Sequence, residues 1–155
     1  MRKVTLGTTI AYGMPGLGAG YMYLLMSLYV MKFSTDVLLI APAVMGVIFS
    51  ISRIWDAVSD PIAGYLSDRT TFKFGRRRTW MLISFIPISF GFLAVFSPPE
   101  SMQGQSLDLW MMIAILSFYS AITLLNVPHM ALGAELSEDY HERTRLFGVR
   151  HIGFT

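Results

Sequence analysis

Three charged residues, Arg53, Asp56 and Asp60, stand in an apolar stretch that contains no other charged side chain. The aspartates are four residues apart, so a helix would place both carboxylates on one face, about 6 Å apart along its axis. Arg53 precedes Asp56 by three residues and would lie on the same side. The three formal charges leave one negative charge unbalanced. Because two close carboxylates in a dry environment repel each other, the spacing predicts a site that binds one monovalent cation or one proton.

The residue that follows Asp60 favours the same chemistry. Pro61 has no backbone N–H, so the carbonyl of Ala57 loses its helical partner. A freed carbonyl beside two carboxylates is a ligand set that transporters use for Na⁺ or H⁺. Ca²⁺ would require about six to eight oxygen ligands, more than this cluster obviously supplies. A structural alternative stays open, in which Arg53 pairs with one aspartate and the other is protonated.

An intramembrane aspartyl enzyme is a further alternative, since two aspartates can share a proton as a protease dyad does. Such a dyad normally draws its acids from two elements that face each other. Here Asp56 and Asp60 share one predicted helix, and the other long apolar stretches contain no acid. We therefore expect a protein that is not an enzyme.

A second polar group lies in the last long apolar stretch. Thr123 and Asn126 are three residues apart and would share a helical face, followed by Pro128 and His129. A hydroxyl and an amide can complete a cation site or bind a sugar hydroxyl. They can equally join two helices by hydrogen bonds, and both interpretations stay open. Pro128 frees the carbonyl of Leu124 in the same way as Pro61 does that of Ala57.

The elements that must position these residues are long apolar stretches. Of the 155 residues, 54 % are hydrophobic and only 14 % charged, too few charges to cover a soluble domain. Four stretches approach or exceed the ~20 residues that cross a bilayer, and Pro87 interrupts the third, which is the shortest. They span residues 10–31, 42–67, 80–96 and 110–132. We predict an all-α integral membrane protein in contact with the lipid bilayer.

The charges between these stretches predict the orientation. Nine cations fall on one side of the membrane, whereas the other side has only Lys32 together with three acids. The positive-inside rule then places the N-terminus in the cytoplasm, in a multi-pass protein of the cytoplasmic (inner) membrane. These cations need no nucleic-acid partner, and we expect none. The nine are Arg2, Lys3, Arg69, Lys73, Arg76, Arg77, Arg78, Arg143 and Arg145.

The C-terminal residues become apolar again around Arg150. Residues 146–155 are too few to cross a bilayer at 1.5 Å per residue, and they are typical of the first part of a fifth helix. We therefore expect the chain to be the N-terminal fragment of a longer protein.

The motifs resemble those of a known transporter family. The run Arg53-Ile-Trp-Asp-Ala-Val-Ser-Asp-Pro-Ile-Ala-Gly64 is similar to the second-helix signature of the glycoside–pentoside–hexuronide:cation symporters, the melibiose-permease branch of the major facilitator superfamily. Two other segments resemble that branch, Asn126–Leu136 and Glu142–Arg145. The resemblance implies twelve helices in two halves, of which residues 1–155 would form part of the N-terminal half. It also implies symport of a sugar, glycoside or uronide with Na⁺ or H⁺ by alternating access, with no other cofactor, in a monomeric full-length protein.

The resemblance also assigns residues. Asp56 and Asp60 match the cation-site aspartates of the family, and Thr123 matches its helix-four hydroxyl ligand. The only metal that this set would hold is Na⁺, if Na⁺ is the coupling ion. Arg150 matches an arginine of the sugar site.

Other positions of the sugar site depart from the melibiose permease. Gly20 and Asn126 fall where that permease has its two sugar-binding acids, and Met130 replaces a tryptophan that contacts the sugar. These departures put galactoside specificity in doubt, although we keep Gly20 and Asn126 as substrate-site candidates. They also leave open a lipid or lysolipid carrier on the same scaffold.

The segments Gly64–Arg69 and Gly75–Arg78 resemble the superfamily's loop between helices two and three. We expect Asp68 to cap the second helix, and the arginines to pair with an acid after the fourth helix to close an inner gate. Membrane orientation and contact with lipid head groups are the alternative role. The gate candidates are Asp68, Arg69, Arg76, Arg77, Arg78 and Glu135, with Glu138 or Asp139 as other acidic partners.

Overall fold

The computed structural model describes residues 5–72, 75–136 and 139–154, and every regular element in those ranges is helical. The α-helices are α1 (Leu6–Lys32), α2 (Pro42–Arg69), α3 (Arg76–Phe96), α4 (Gln105–Leu136) and α5 (Tyr140–Phe154). A π-helical turn, Phe33–Val37, continues α1. Four residues named above lie outside the described residues: Arg2, Lys3, Lys73 and Glu138.

Each predicted stretch lies within one helix, and each helix extends beyond its apolar core. The third helix shows this most clearly, because α3 begins at Arg76 and gains a polar first turn that hydropathy alone does not include. Polar residues at helix ends can remain helical outside the apolar layer, since the backbone bonds of α-helices form within the segment. The first four α-helices each contain an internal proline and run through it without a break: Pro15, Pro61, Pro87 and Pro128.

Two of the described helices, α3 and α4, are long and apolar enough by composition to cross a membrane. The helix α2 is as long but contains Arg53, Asp56 and Asp60, which lower its hydropathy.

The helix α4 is central to the packing. It contacts α3 most extensively, α2 next and α5 less, while α1 packs mainly on α5. Close approach of α3 to α4 depends on Gly91, because a Cβ at this position would lie 2.9 Å from Cα of Phe118. Buried apolar side chains of the first four helices, with Met45, Ile88, Met111 and Phe118 at the centre, form one cluster. This packing fixes the position of α2, with Asp56 and Asp60, against α4.

Three of the helices begin at a residue whose side chain or backbone conformation suits a helix start. Thr5 caps α1 by accepting a hydrogen bond from the backbone N–H of Thr8, at 3.3 Å. Gly75, directly before α3, has a φ of 95°, which favours glycine over any residue with a Cβ. Asp139 caps α5 through its Oδ1, which accepts from the backbone N–H of His141 at 2.8 Å. The turn at Gly75 places Arg76 and Arg77, at the start of α3, beside Glu135 at the end of α4.

Candidate functional site

The two aspartates of α2 face α4. Thr123 donates a hydrogen bond from its hydroxyl to Oδ1 of Asp60, at 3.0 Å, and is itself buried. One turn earlier on α2, Asp56 lines a cavity that Asp60 and Thr123 also line. The structure thus brings together the three residues predicted to bind a cation, and their carboxylate and hydroxyl oxygens are ligands that an alkali cation prefers.

Arg53 forms an ion pair with one oxygen of Asp56. Its guanidinium donates to Oδ2 of Asp56 at 3.2 Å, while the other oxygen of this carboxylate, Oδ1, is buried with no hydrogen-bond partner among the described residues. The guanidinium carbon of Arg53 also lies over the ring of Tyr119, 5.0 Å from its centroid. Arg53 is therefore held at the cluster by an ion pair and a cation–π contact. We call Arg53, Asp56, Asp60 and Thr123 the acid-pair site.

A cavity of about 300 Å³ lies between α1, α2 and α4 and joins the acid-pair site to Asn126, whereas Arg150 does not line it. Asn126 and Met130, both on α4, line it together with the acids. Gly20 is buried in α1 and is not among the lining residues. The cavity could thus present oxygen ligands to a cation at one end and an amide to a polar substrate at the other. Its polar lining residues are Tyr23, Arg53, Asp56, Asp60, Tyr119, Thr123 and Asn126.

Arg150 of α5 contacts α4 at two points. Its Nη2 donates to Oδ1 of Asn126 at 3.1 Å, and its Nε donates to Nδ1 of His129 at 3.4 Å. Two of the predicted substrate residues are therefore joined directly. A guanidinium and an amide in this arrangement offer several N–H donors, which suit the hydroxyls of a sugar or the carboxylate of a uronide.

His129 and Tyr12 join α4 to α1 through a reciprocal pair of hydrogen bonds. The hydroxyl of Tyr12 donates to the backbone carbonyl of His129 at 3.0 Å, and Nε2 of His129 lies 2.7 Å from the backbone carbonyl of Tyr12. Both side chains are buried. The tyrosine reaches α4 because residue 133 is glycine, where an added Cβ would overlap the Tyr12 hydroxyl.

A second charged cluster lies where α2 ends, α3 begins and α4 ends. Glu135 accepts hydrogen bonds at Oε1 from Arg76 at 2.7 Å and from Arg77 at 2.8 Å. Arg77 also forms an ion pair with Asp68, at 2.8 Å. The prediction that Asp68 caps α2 is wrong, because α2 continues to Arg69 and its C-cap residue is Thr70. Four of the predicted gate residues thus form one network, which we call the arginine cluster: Asp68, Arg76, Arg77 and Glu135.

The other gate candidates lie apart from these ion pairs. The guanidinium of Arg69 lies over the ring of Tyr65, 4.4 Å from its centroid. Arg78 is exposed and lines an apolar cleft between α1 and α3. Asp139, an alternative partner for the arginines, caps α5 instead.

Sequence reasoning missed three tyrosines, Tyr12, Tyr23 and Tyr119. Tyr119 precedes Thr123 by four residues, so the helical rule that groups Thr123 with Asn126 could have placed it beside them. Tyr12 gives no such signal, because its partner His129 is 117 residues away. Long-range contacts of this kind depend on the packing of α1 against α4.

Comparisons with known proteins identify the family to which the chain belongs. A family model described as MFS/sugar transport protein matches residues 11–155. A Synechocystis protein described as an uncharacterized symporter is 36 % identical over 96 % of this chain. A sodium-dependent lysophosphatidylcholine symporter of Danio rerio is 28 % identical over 92 % of it. An isoprimeverose transporter of Lactiplantibacillus pentosus is 26 % identical, also over 92 %.

These relatives are much longer than this chain. The aligned segment makes up 28 % of the Synechocystis protein, 26 % of the Danio rerio protein and 29 % of the Lactiplantibacillus pentosus protein. The chain therefore spans less than a third of their length.

Proposed function

The chain belongs to the family of MFS/sugar transport proteins, which are integral membrane transporters rather than enzymes, and from this premise we propose that the complete protein is a secondary active symporter. It would couple the entry of a sugar, glycoside or uronide to the flow of Na⁺ or H⁺ by alternating access. The N-terminus would lie in the cytoplasm, as the distribution of cations predicts.

One observation carries the proposal: the acid-pair site has an unbalanced negative charge and an unsatisfied oxygen. Arg53 compensates one of the two aspartates, and Oδ1 of Asp56 is buried without a described partner. Charged residues within a membrane helix are costly and are functional candidates by default. A bound cation would supply the missing positive charge and a partner for that oxygen. Binding would therefore stabilise the packing of α2 against α4 in which the cavity can accept a substrate.

The substrate would bind beside the cation site. Asn126 lines the same cavity as Asp56 and Asp60, and Arg150 donates to Asn126. This proximity supports coupling, because a cation that fixes the position of α2 against α4 also fixes the cavity wall that contacts the sugar. Gly20 is buried in α1 and does not line this cavity, so it stays a candidate through the family resemblance alone.

Uptake into vesicles tests the coupling. With the complete protein reconstituted, a Na⁺ or H⁺ gradient should drive the accumulation of a labelled sugar from a panel of isoprimeverose, melibiose and methyl glucuronide. We expect Asp56→Asn and Asp60→Asn each to reduce gradient-driven uptake at least 100-fold (a loss of about 3 kcal/mol or more). Asp108→Asn, which removes a carboxylate in the first turn of α4, is the matched control and should transport normally. Gradient-driven uptake that persists in both variants would refute the proposal.

A lipid carrier on the same scaffold is the second candidate. It is supported by the similarity to a sodium-dependent lysophosphatidylcholine symporter and by the uncharged residues Gly20 and Asn126. The discriminating measurement is the thermal shift of the purified complete protein with the three sugars and with lysophosphatidylcholine. Stabilisation by lysophosphatidylcholine alone would favour the lipid carrier, and stabilisation by a sugar would favour the sugar symporter.

A further inference from the structure

The buried imidazole of His129 lies between two groups whose chemistry determines its tautomer. On one side, Nε of Arg150 lies 3.4 Å from Nδ1, and on the other the carbonyl oxygen of Tyr12 lies 2.7 Å from Nε2. A guanidinium has donors only, and a carbonyl oxygen accepts only. Nδ1 must therefore accept, and Nε2 must carry the proton and donate. His129 is neutral with the proton on Nε2, because a second proton on Nδ1 would point at the guanidinium.

From this geometry we propose that His129 is a positioning residue that ties Arg150, and through it Asn126, to the backbone of α1. The sequence of contacts runs from the Tyr12 carbonyl through the imidazole to Nε of Arg150, and from Nη2 of Arg150 to Asn126. The substrate role of Arg150 and Asn126 rests on the proposed function. His129 itself is 1 % exposed and lies outside the lining of the cavity, so it acts through the arginine.

The surroundings fix the imidazole on its remaining sides. The rings of Tyr12 and His129 meet edge to face, with centroids 4.5 Å apart and planes at 60°. The Tyr12 hydroxyl donates back to the His129 carbonyl, and Gly133 provides the space for it. The tyrosine therefore limits rotation of the imidazole, and the imidazole restricts the guanidinium to one direction. Arg150 is a long side chain with rotamer entropy to lose, so a fixed acceptor at Nε would lower the cost of substrate binding.

The tautomer can be tested without any substrate. The complete protein, labelled with ¹⁵N-histidine in lipid nanodiscs, should show at neutral pH a histidine signal with a protonated Nε2 and a bare Nδ1 that His129→Gln removes. Arg150→Gln should shift its Nδ1 resonance, whereas Arg145→Gln on the exposed face of α5 should not. A proton on Nδ1, or an Nδ1 resonance that Arg150→Gln leaves in place, would overturn the proposal.

Uptake of isoprimeverose then separates positioning from packing. His129→Phe keeps a ring against Tyr12 but removes both nitrogen contacts, whereas the amide of Gln can still donate to the Tyr12 carbonyl and accept from Arg150. We expect Phe to raise the KM for the sugar at least fivefold with an unchanged half-saturating cation concentration, and Gln to stay within twofold of wild type. An unchanged KM in Phe, or equal loss in both variants, would contradict positioning. If the wild-type protein takes up no sugar, the proposed function fails while the tautomer measurement still decides the contact.

Discussion

The acid-pair site and the arginine cluster both combine arginines with acidic residues, but only the arginine cluster is balanced in charge. The acid-pair site has one arginine for two aspartates and leaves one negative charge and one buried oxygen unsatisfied. The arginine cluster has two arginines for two acids, and its charges sum to zero. Breaking a paired charge is costly because its partner is left unpaired, whereas an unbalanced carboxylate can be compensated by a bound cation or a proton.

The comparison separates two kinds of consequence. Loss of a member of the arginine cluster should lower stability, because it leaves a partner unpaired. Loss of an aspartate of the acid-pair site should impair cation coupling more than stability, because these two acids carry an unbalanced negative charge before a ligand binds. Thermal unfolding and cation-dependent uptake, measured on the same variants, therefore distinguish the two regions.

Arg77→Gln should have the largest effect on stability. Arg77 is 11 % exposed and contacts both Asp68 and Glu135, so its loss removes the described ion pair of Asp68 and leaves Glu135 with Arg76 alone. We expect the free energy of unfolding of the complete protein to fall by about 1–3 kcal/mol. Arg78→Gln, one residue further on and exposed, should change it by less than about 0.5 kcal/mol. Equal destabilisation by the two variants would contradict the role given to Arg77.

Thr123→Val should have an intermediate effect, and this effect should be on cation-dependent uptake rather than on stability. It removes the hydroxyl that donates to Asp60 while keeping the shape of the side chain. Loss of one hydrogen bond of about 0.5–1.5 kcal/mol corresponds to a rise of roughly 2- to 10-fold in the half-saturating cation concentration. Thr123→Ser retains the hydroxyl and should stay near the wild-type value. If Ser and Val raise it equally, the hydroxyl is not a ligand of the site.

The sequence predicts the local part of this architecture well. Helical periodicity places Asp56 and Asp60 on one face, and hydropathy predicts the helices that contain them. Both follow from interactions between residues near each other in the chain. The same reasoning places Thr123 on one face with Asn126, but which helix this face meets is outside its reach.

The non-local part could not be predicted from spacing. The contact between Tyr12 and His129 requires that α1 and α4 approach closely at Gly133, and the preference of Glu135 for Arg76 and Arg77 over Arg78 depends on the turn at Gly75. The resemblance to known transporters supplied the pairing of Thr123 with the aspartates, which composition and periodicity left open. Packing between distant helices decides each of these contacts.

Arg76→Gln should have the smallest effect, although Arg76 contacts the same oxygen of Glu135 as Arg77 does. The side chains of Arg76 and Glu135 are 47 % and 40 % exposed, so solvent screens this pair, and exposed pairs contribute about 0–1 kcal/mol. Between about 0.1 M and 1 M choline chloride, which avoids adding Na⁺, the Debye length falls from about 10 Å to 3 Å. We therefore expect the small difference in melting temperature between wild type and Arg76→Gln to vanish at high salt, while that of Arg77→Gln largely persists. A difference for Arg76→Gln as large and as salt-resistant as that for Arg77→Gln would show that exposure does not set the strength of these two contacts.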